Sequence, residues 1–133
     1  MSAAAGSAAP VTVLTSLDAA AVAAAWGRAA VEVAGEVLRL ADVAAGAGAH
    51  GVVCSGHEAA AVRDRHAGRL ATLVPGVRLA GDGAGDQRRV VTPAGAAAAG
   101  ARYVVLGRTV TGAADPAAAL MRAKGELALA SRA

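Results

Sequence analysis

A chain of 133 residues is long enough for one domain with its own core and short for two. Hydrophobic residues make up 56% and charged ones 17%, with no Phe, one Trp and one Tyr, which argues against an aromatic platform for single-stranded nucleic acid. The formal charge of +3, from 13 Lys and Arg against 10 Asp and Glu, lacks any stripe or motif of nucleic-acid binding and fits a small anionic ligand better.

The opening "MSAAAGSAAP" has neither a basic start nor a continuous apolar run, so it does not read as a signal peptide. Residues 1–9 read as a disordered leader, with one domain over residues 10–133. "VTVLT" at 11–15 is the first of four short β-branched or aliphatic runs and predicts a strand. Ser16 or Asp18 would cap the helix after it. From Ala19 to Ala45 the pattern is helical, with Val31, Leu38 and Val43 as its apolar positions, and a break into two helices is expected near Gly27 or Gly35. The stretch "AAAVAAAWG" is too short to span a bilayer.

"GAGAHG" at 46–51 satisfies G-x-G-x-x-G, but it precedes a strand, whereas a dinucleotide fingerprint leaves a strand and opens a helix. It reads as a helix-to-strand connection. "GVVCS" at 51–55 is the second strand, and Ser55-x-x-Glu58 has the capping-box pattern for the helix that follows. Cys54 is the single cysteine, so no internal disulfide exists, and a reducing, cytoplasmic setting is expected. Cys54 and His57 do not make a metal site, because His50 and His66 lack ligand spacing to them. Cys54 reads as a small buried residue, and His57 and His66 as helix-surface residues.

"LATLV" at 70–74 is the third strand, and it empties into "PGVRLAGDGAGDQRRVVTP", where the polar chemistry of the chain concentrates. Thr92-Pro93 and Asp115-Pro116 each set a capping side chain before a proline at the first helical position. Between them "YVVLG" at 103–107 is the fourth strand, with Arg108 just past its end, where parallel α/β sheets hold ligands. Glycine allows close approach of a ligand, and arginine supplies a forked donor for phosphate. Apolar strands alternating with helices predict an α/β fold with a parallel sheet buried on both faces. Four βα units are half of a (β/α)8 barrel, and the pattern alone does not separate that half from a small open sheet.

Taken together, "VTVLTS", "GVVCSGHEA", "LVPGVRLAGDGAGDQRRVVTPAGA" and "ARYVVLGRTVTGAADPAAAL" resemble the C-terminal half of the orotidine 5′-phosphate decarboxylase family of the bacterial type, in the family's order from Val11 to about Leu120. The resemblance implies the last four strands, five to eight, of a (β/α)8 TIM barrel. It also implies conversion of orotidine 5′-monophosphate to uridine 5′-monophosphate and CO2, in pyrimidine biosynthesis, without metal or organic cofactor. By that resemblance Arg108 and the Gly107 backbone bind the substrate phosphate, and Arg78 lies in the loop that closes over it. Gln87 bridges phosphate and pyrimidine, Thr15 and Ser16 sit by the pyrimidine, and Pro75 lines the base pocket.

Arg88 and Arg89 are expected to make structural ion pairs. Gly81, Gly83 and Gly85 permit a mobile flap, and Asp82 and Asp86 would hold the arginines while the site is open. The family's reacting Lys/Asp array, carried by D-x-K-x-x-D, has no match here, and the single lysine is Lys124. No catalytic residue is therefore assigned, and the chain alone is expected to be close to inactive. A homo-oligomer or a complementing N-terminal half would supply the rest. The alternatives are a non-enzymatic half-barrel that binds phosphate ligands or assembles, and a related phosphosugar decarboxylase or aldolase, against which the glutamine of "GDQRR" counts.

Overall fold

The computed structural model describes residues 8–130, so the first seven residues of the expected leader lie outside it. Its elements, in chain order, are α1 (Ala19–Ala25), α2 (Val33–Gly46), β1 (Gly51–Val53), α3 (Ala59–Arg65), β2 (Ala71–Val74), α4 (Pro93–Ala98), β3 (Tyr103–Val104), α5 (Arg108–Thr111) and α6 (Pro116–Ala130). The three strands are parallel in the order β1-β2-β3, with Val52 opposite Thr72 and Val74 opposite Val104. The α/β class follows.

Residues 11–15 do not form the full strand their composition predicts. Val11 makes one parallel bridge to Val53, supported by Thr12 N–H donating to the Val53 carbonyl at 3.0 Å. The sequence position is right and the ladder is short, because this segment is the outermost and hydrogen-bonds toward β1 alone. Ala8, at the edge of the expected leader, accepts from the N–H groups of His50 and Gly51.

Of the four predicted helix starts, three hold and one does not, while α2 and α5 begin where no cap was foreseen. Asp18, not Ser16, accepts from Ala21 N–H at 2.9 Å and opens α1; Thr92 accepts from Gly95 N–H at 3.1 Å, and Asp115 from Ala118 N–H at 3.0 Å. The break in the first helical stretch falls at Gly27, whose φ of +63° ends α1. Gly35 does not break a helix. It leaves room for the Glu32 carboxylate that caps α2, since a Cβ there would lie 2.7 Å from that oxygen. The buried stripe of α2 is Val37, Ala41 and Ala44, while Val43 faces solvent. The exception is Ser55-x-x-Glu58: α3 begins at Ala59, and the Glu58 side chain makes no capping bond.

The core is small and valine-rich, with Val13, Val22, Val37, Val52, Val62, Val74 and Val77 all nearly inaccessible. These side chains lie between the sheet and the helices. The sheet's other face departs from the expectation of burial on both sides: Val11 is 52% exposed, Tyr103 50% and Val105 45%. Leu73, between them on β2, is only half-buried. Nothing among the described residues covers this face. No helix there is long and apolar enough to cross a membrane.

Candidate functional site

The candidate binding residues collect where the strands end. The loop after β2 is pinned at its base by a parallel bridge between Val77 and Val91, with Arg78 N–H donating to the Val91 carbonyl at 2.9 Å. From this base the segment runs out through Gly81 (φ +92°) and Gly85 (φ +63°), a backbone that residues with a Cβ seldom adopt. The loop returns against the end of β3, where a short helix, unforeseen in the sequence, begins at Arg108.

Two cavities lie between these segments. The larger, about 430 Å³, is lined by Arg78, Asp82, Arg108 and Thr109 with the flap glycines. The smaller, about 220 Å³, is lined by Pro75, Arg78, Gln87, Gly107 and Arg108, so five of the seven predicted site residues share one wall. Arg78 and Arg108 face both. Thr15 joins through its hydroxyl, which donates to the Gln87 side-chain oxygen. That pair meets over Gly76, where an added Cβ would lie 3.2 Å from Gln87 Oε1 and 3.6 Å from Thr15 Oγ1. Ser16 is half-buried beside Thr15 and lines neither cavity.

The charges are unevenly matched. Arg108 is paired with Asp86, both side chains being 63% exposed. Asp82, expected to hold an arginine, instead accepts from the Thr109 hydroxyl, which in turn accepts from Leu79 N–H at 3.0 Å. Arg78 is the outlier: it is 9% exposed, has no carboxylate within ion-pair distance among the described residues, and its Nε finds no partner. A buried guanidinium without a counter-charge is costly unless something else supplies the charge. The two cavities it faces are where an anion would do so.

The hydrogen bond from Arg108 is the main reason the Asp86 carboxyl lies below its ordinary range, with the charges of Arg108 and Arg78 adding to it. The pair's small stabilisation is present above the ordinary aspartate range and fades as pH falls through the lowered value; exposure keeps it small. An anion that takes Arg108 would free Asp86 and set a second negative charge beside it. The carboxyl midpoint should then rise, as a carbon-detected NMR titration with and without ligand would show. An unmoved midpoint would mean that the anion does not compete for Arg108.

Behind the flap lies a second network, of which the sequence foresaw an ion-paired Arg89 but not its partner. Glu58 pairs with Arg89 and accepts from the Ser55 hydroxyl, while Arg89 also donates to the carbonyls of Val13 at 2.9 Å and Leu14 at 3.3 Å. Arg88 and Arg89 both donate backbone N–H groups to the Thr15 carbonyl. Arg89 thus makes the structural ion pair expected of it; Arg88 is exposed and makes none among the described residues. His57 reaches the flap, with Nε2 at 3.1 Å from the Val90 carbonyl. Cys54 is fully buried beside this network, and burial pushes its thiol up to about 12, which makes it a poor nucleophile. Among the described residues no group of His, Cys, Asp or Glu is arranged to hold a metal ion.

Residues 3–123 match the model of the "Orotidine 5'-phosphate decarboxylase / HUMPS family". An orotidine 5'-phosphate decarboxylase from Anaeromyxobacter sp. (strain K) is 56% identical over 109 residues, which are 82% of this chain and 47% of the relative. One from Halorhodospira halophila is 48% identical over 124 residues, 90% of this chain and 50% of the relative. The crystal structure of orotidine 5'-phosphate decarboxylase from Lactobacillus acidophilus superposes with a TM-score of 0.69 at 32% identity, over 88% of this chain and 47% of that one. The chain spans about half the length of the relatives it matches.

Proposed function

The chain belongs to the orotidine 5'-phosphate decarboxylase / HUMPS family, and from that premise we propose that it is the nucleotide-gripping half of such a decarboxylase. In this reading the chain is strands five to eight of a (β/α)8 barrel, with the bridging segment at Val11 as the first of them. Arg78 and Arg108, with the Gly107 backbone, take the phosphate of orotidine or uridine 5′-monophosphate. Thr15 and Gln87 form a latch between phosphate and pyrimidine, Pro75 lines the base pocket, and Ser16 lies beside it. The observation that carries the proposal is Arg78, a buried guanidinium that faces two cavities and has no ion-pair partner among the described residues.

The mechanism assigned to this half is binding rather than bond breaking. Closure of the flap around a phosphate excludes water and strengthens the charge interactions inside. Binding energy gained at the phosphate is then available to stabilise the transition state at the base. In this reading the groups that destabilise a carboxylate and return a proton to the ring belong to the other half; the single lysine here, Lys124, lies on α6 and is exposed. That same observation favours, for the chain by itself, the second reading of a phosphate-binding half-barrel without chemistry of its own.

Calorimetric titration with uridine 5′-monophosphate tests the site. Hydrogen bonds to charged groups contribute about 1.5–3 kcal/mol each, so Arg108→Ala together with Gln87→Ala should weaken binding at least ~100-fold. Affinity that survives the double substitution would undo the assignment of these residues.

A further inference from the structure

At the opposite end of the sheet, where the strands begin, Arg63, Arg69 and Arg102 rim a cavity of about 320 Å³. Arg63 comes from α3, Arg69 from the turn beyond it, and Arg102 from the residue before β3. No carboxylate lines this cavity. Arg63 is paired with Asp64 at 2.8 Å and reaches the Ala99 carbonyl at 3.5 Å. Arg69 donates only Nε, to the His66 carbonyl at 3.3 Å. Neither Arg69 nor Arg102 has an acidic partner among the described residues.

The cavity also has a built interior. Thr72, in the middle of β2 and 2% exposed, lines it, and its hydroxyl has no hydrogen-bond partner. Buried hydroxyls in folded proteins are nearly always bonded, so an orphan in a cationic cavity is an unused donor beside unused charge. Gly100 shapes the opposite wall: at φ +79° a Cβ would lie 2.5 Å from Arg63 Nη1, so the glycine lets the guanidinium lie against the backbone. The ends of α3 and α4 also point here, each bringing roughly half a negative charge. With Asp64 they offset part of the rim's charge and leave it positive.

We propose that this cavity is a second anion site, which takes a phosphate group on the forked donors of Arg69 and Arg102 with the Thr72 hydroxyl at its floor. Guanidinium pairs match the geometry of phosphate oxygens, and the volume leaves room for a small organic group attached to the phosphate. The occupant is inorganic phosphate or a small phosphate ester, since both present the same oxygens. The site is separate from the flap and does not depend on the role given to Arg108.

Calorimetry on the chain carrying Arg108→Ala, titrated in turn with inorganic phosphate and with ribose 5-phosphate, separates the two sites. A saturable site should remain in that background for at least one of the two probes, and the tighter of them identifies the source. Adding Arg69→Gln and Arg102→Gln should weaken it tenfold or more; both side chains are exposed, so the fold is spared. Thr72→Val should weaken it and Thr72→Ser should restore it. If the Arg108→Ala chain binds neither probe, or if binding ignores the loss of Arg69 and Arg102, the proposal is overturned.

Discussion

Supplied with orotidine 5′-monophosphate, the isolated chain is expected to release no CO2 above the uncatalysed rate, and to turn over once the separately expressed N-terminal half of a relative is added. The magnitudes make this a severe test. Enzymatic accelerations of ~10^17 correspond to about 23 kcal/mol of transition-state stabilisation, whereas hydrogen bonds to charged groups contribute only about 1.5–3 kcal/mol each. Arg78, Arg108 and Gln87 together fall far short of the total. A proton donor must also come within about 2.6–3.2 Å of the carbon that loses CO2, and the single lysine, Lys124, lies on the last helix and lines neither cavity at the flap. Steady turnover by the chain alone would refute the division of labour proposed for it. Turnover that appears only with both halves, and disappears with Arg108→Ala, would establish it.

The second large effect concerns stability. The Glu58 and Arg89 side chains are 6% and 12% exposed, and they join α3, the flap and the segment at residues 13–15. Removing one member of a buried pair leaves the other charge stranded, at a cost of about 3–5 kcal/mol. Arg89→Met should therefore lower the thermal midpoint by roughly 10–20 °C for a domain of this size. Glu58→Leu combined with Arg89→Met should recover much of that loss, because both charges are then gone. Circular dichroism melts of the two variants beside the unsubstituted chain decide the matter. A single substitution that moves the midpoint by no more than about 2 °C would show that water already reaches the pair.

The parts of this fold legible in the sequence are those set by local chemistry. Asp18, Thr92-Pro93 and Asp115-Pro116 open helices because each carries its own cap, and the runs at 51–53, 71–74 and 103–104 are strands because they are uncharged and rich in aliphatic and β-branched residues. The misreadings come from partners distant in the chain. Glu58 looked like a local cap and is instead committed to Arg89, 31 residues away. Residues 11–15 had strand composition, yet composition does not reveal that the segment has a neighbour on one side only. Asp82 was assigned to an arginine on charge alone, and the hydroxyl of Thr109 lies where that argument put a guanidinium.

The site was legible for a different reason. Pro75, Arg78, Gln87, Gly107 and Arg108 line one cavity because two consecutive strands of a parallel sheet end side by side, so topology alone brings the loops after them together. The hydrogen bond between Thr15 and Gln87 spans 72 residues and had no sequence signal; the family resemblance placed each residue near the pyrimidine but not against the other. The anion cavity at the other end of the strands had no sequence signal, since Arg63, Arg69 and Arg102 come from three separate segments.

The bridge between Val77 and Val91 closes the flap upon itself before it leaves the sheet. A loop tied at its own base can change length at little thermodynamic expense, because closure entropy grows only with the logarithm of the residue count and a doubling costs about 0.6 kcal/mol. Insertions between residues 79 and 88 would leave the strand register and the valine core untouched. Ligand preference can therefore diverge faster than the scaffold, through lengthening or rewriting of one tied-off excursion.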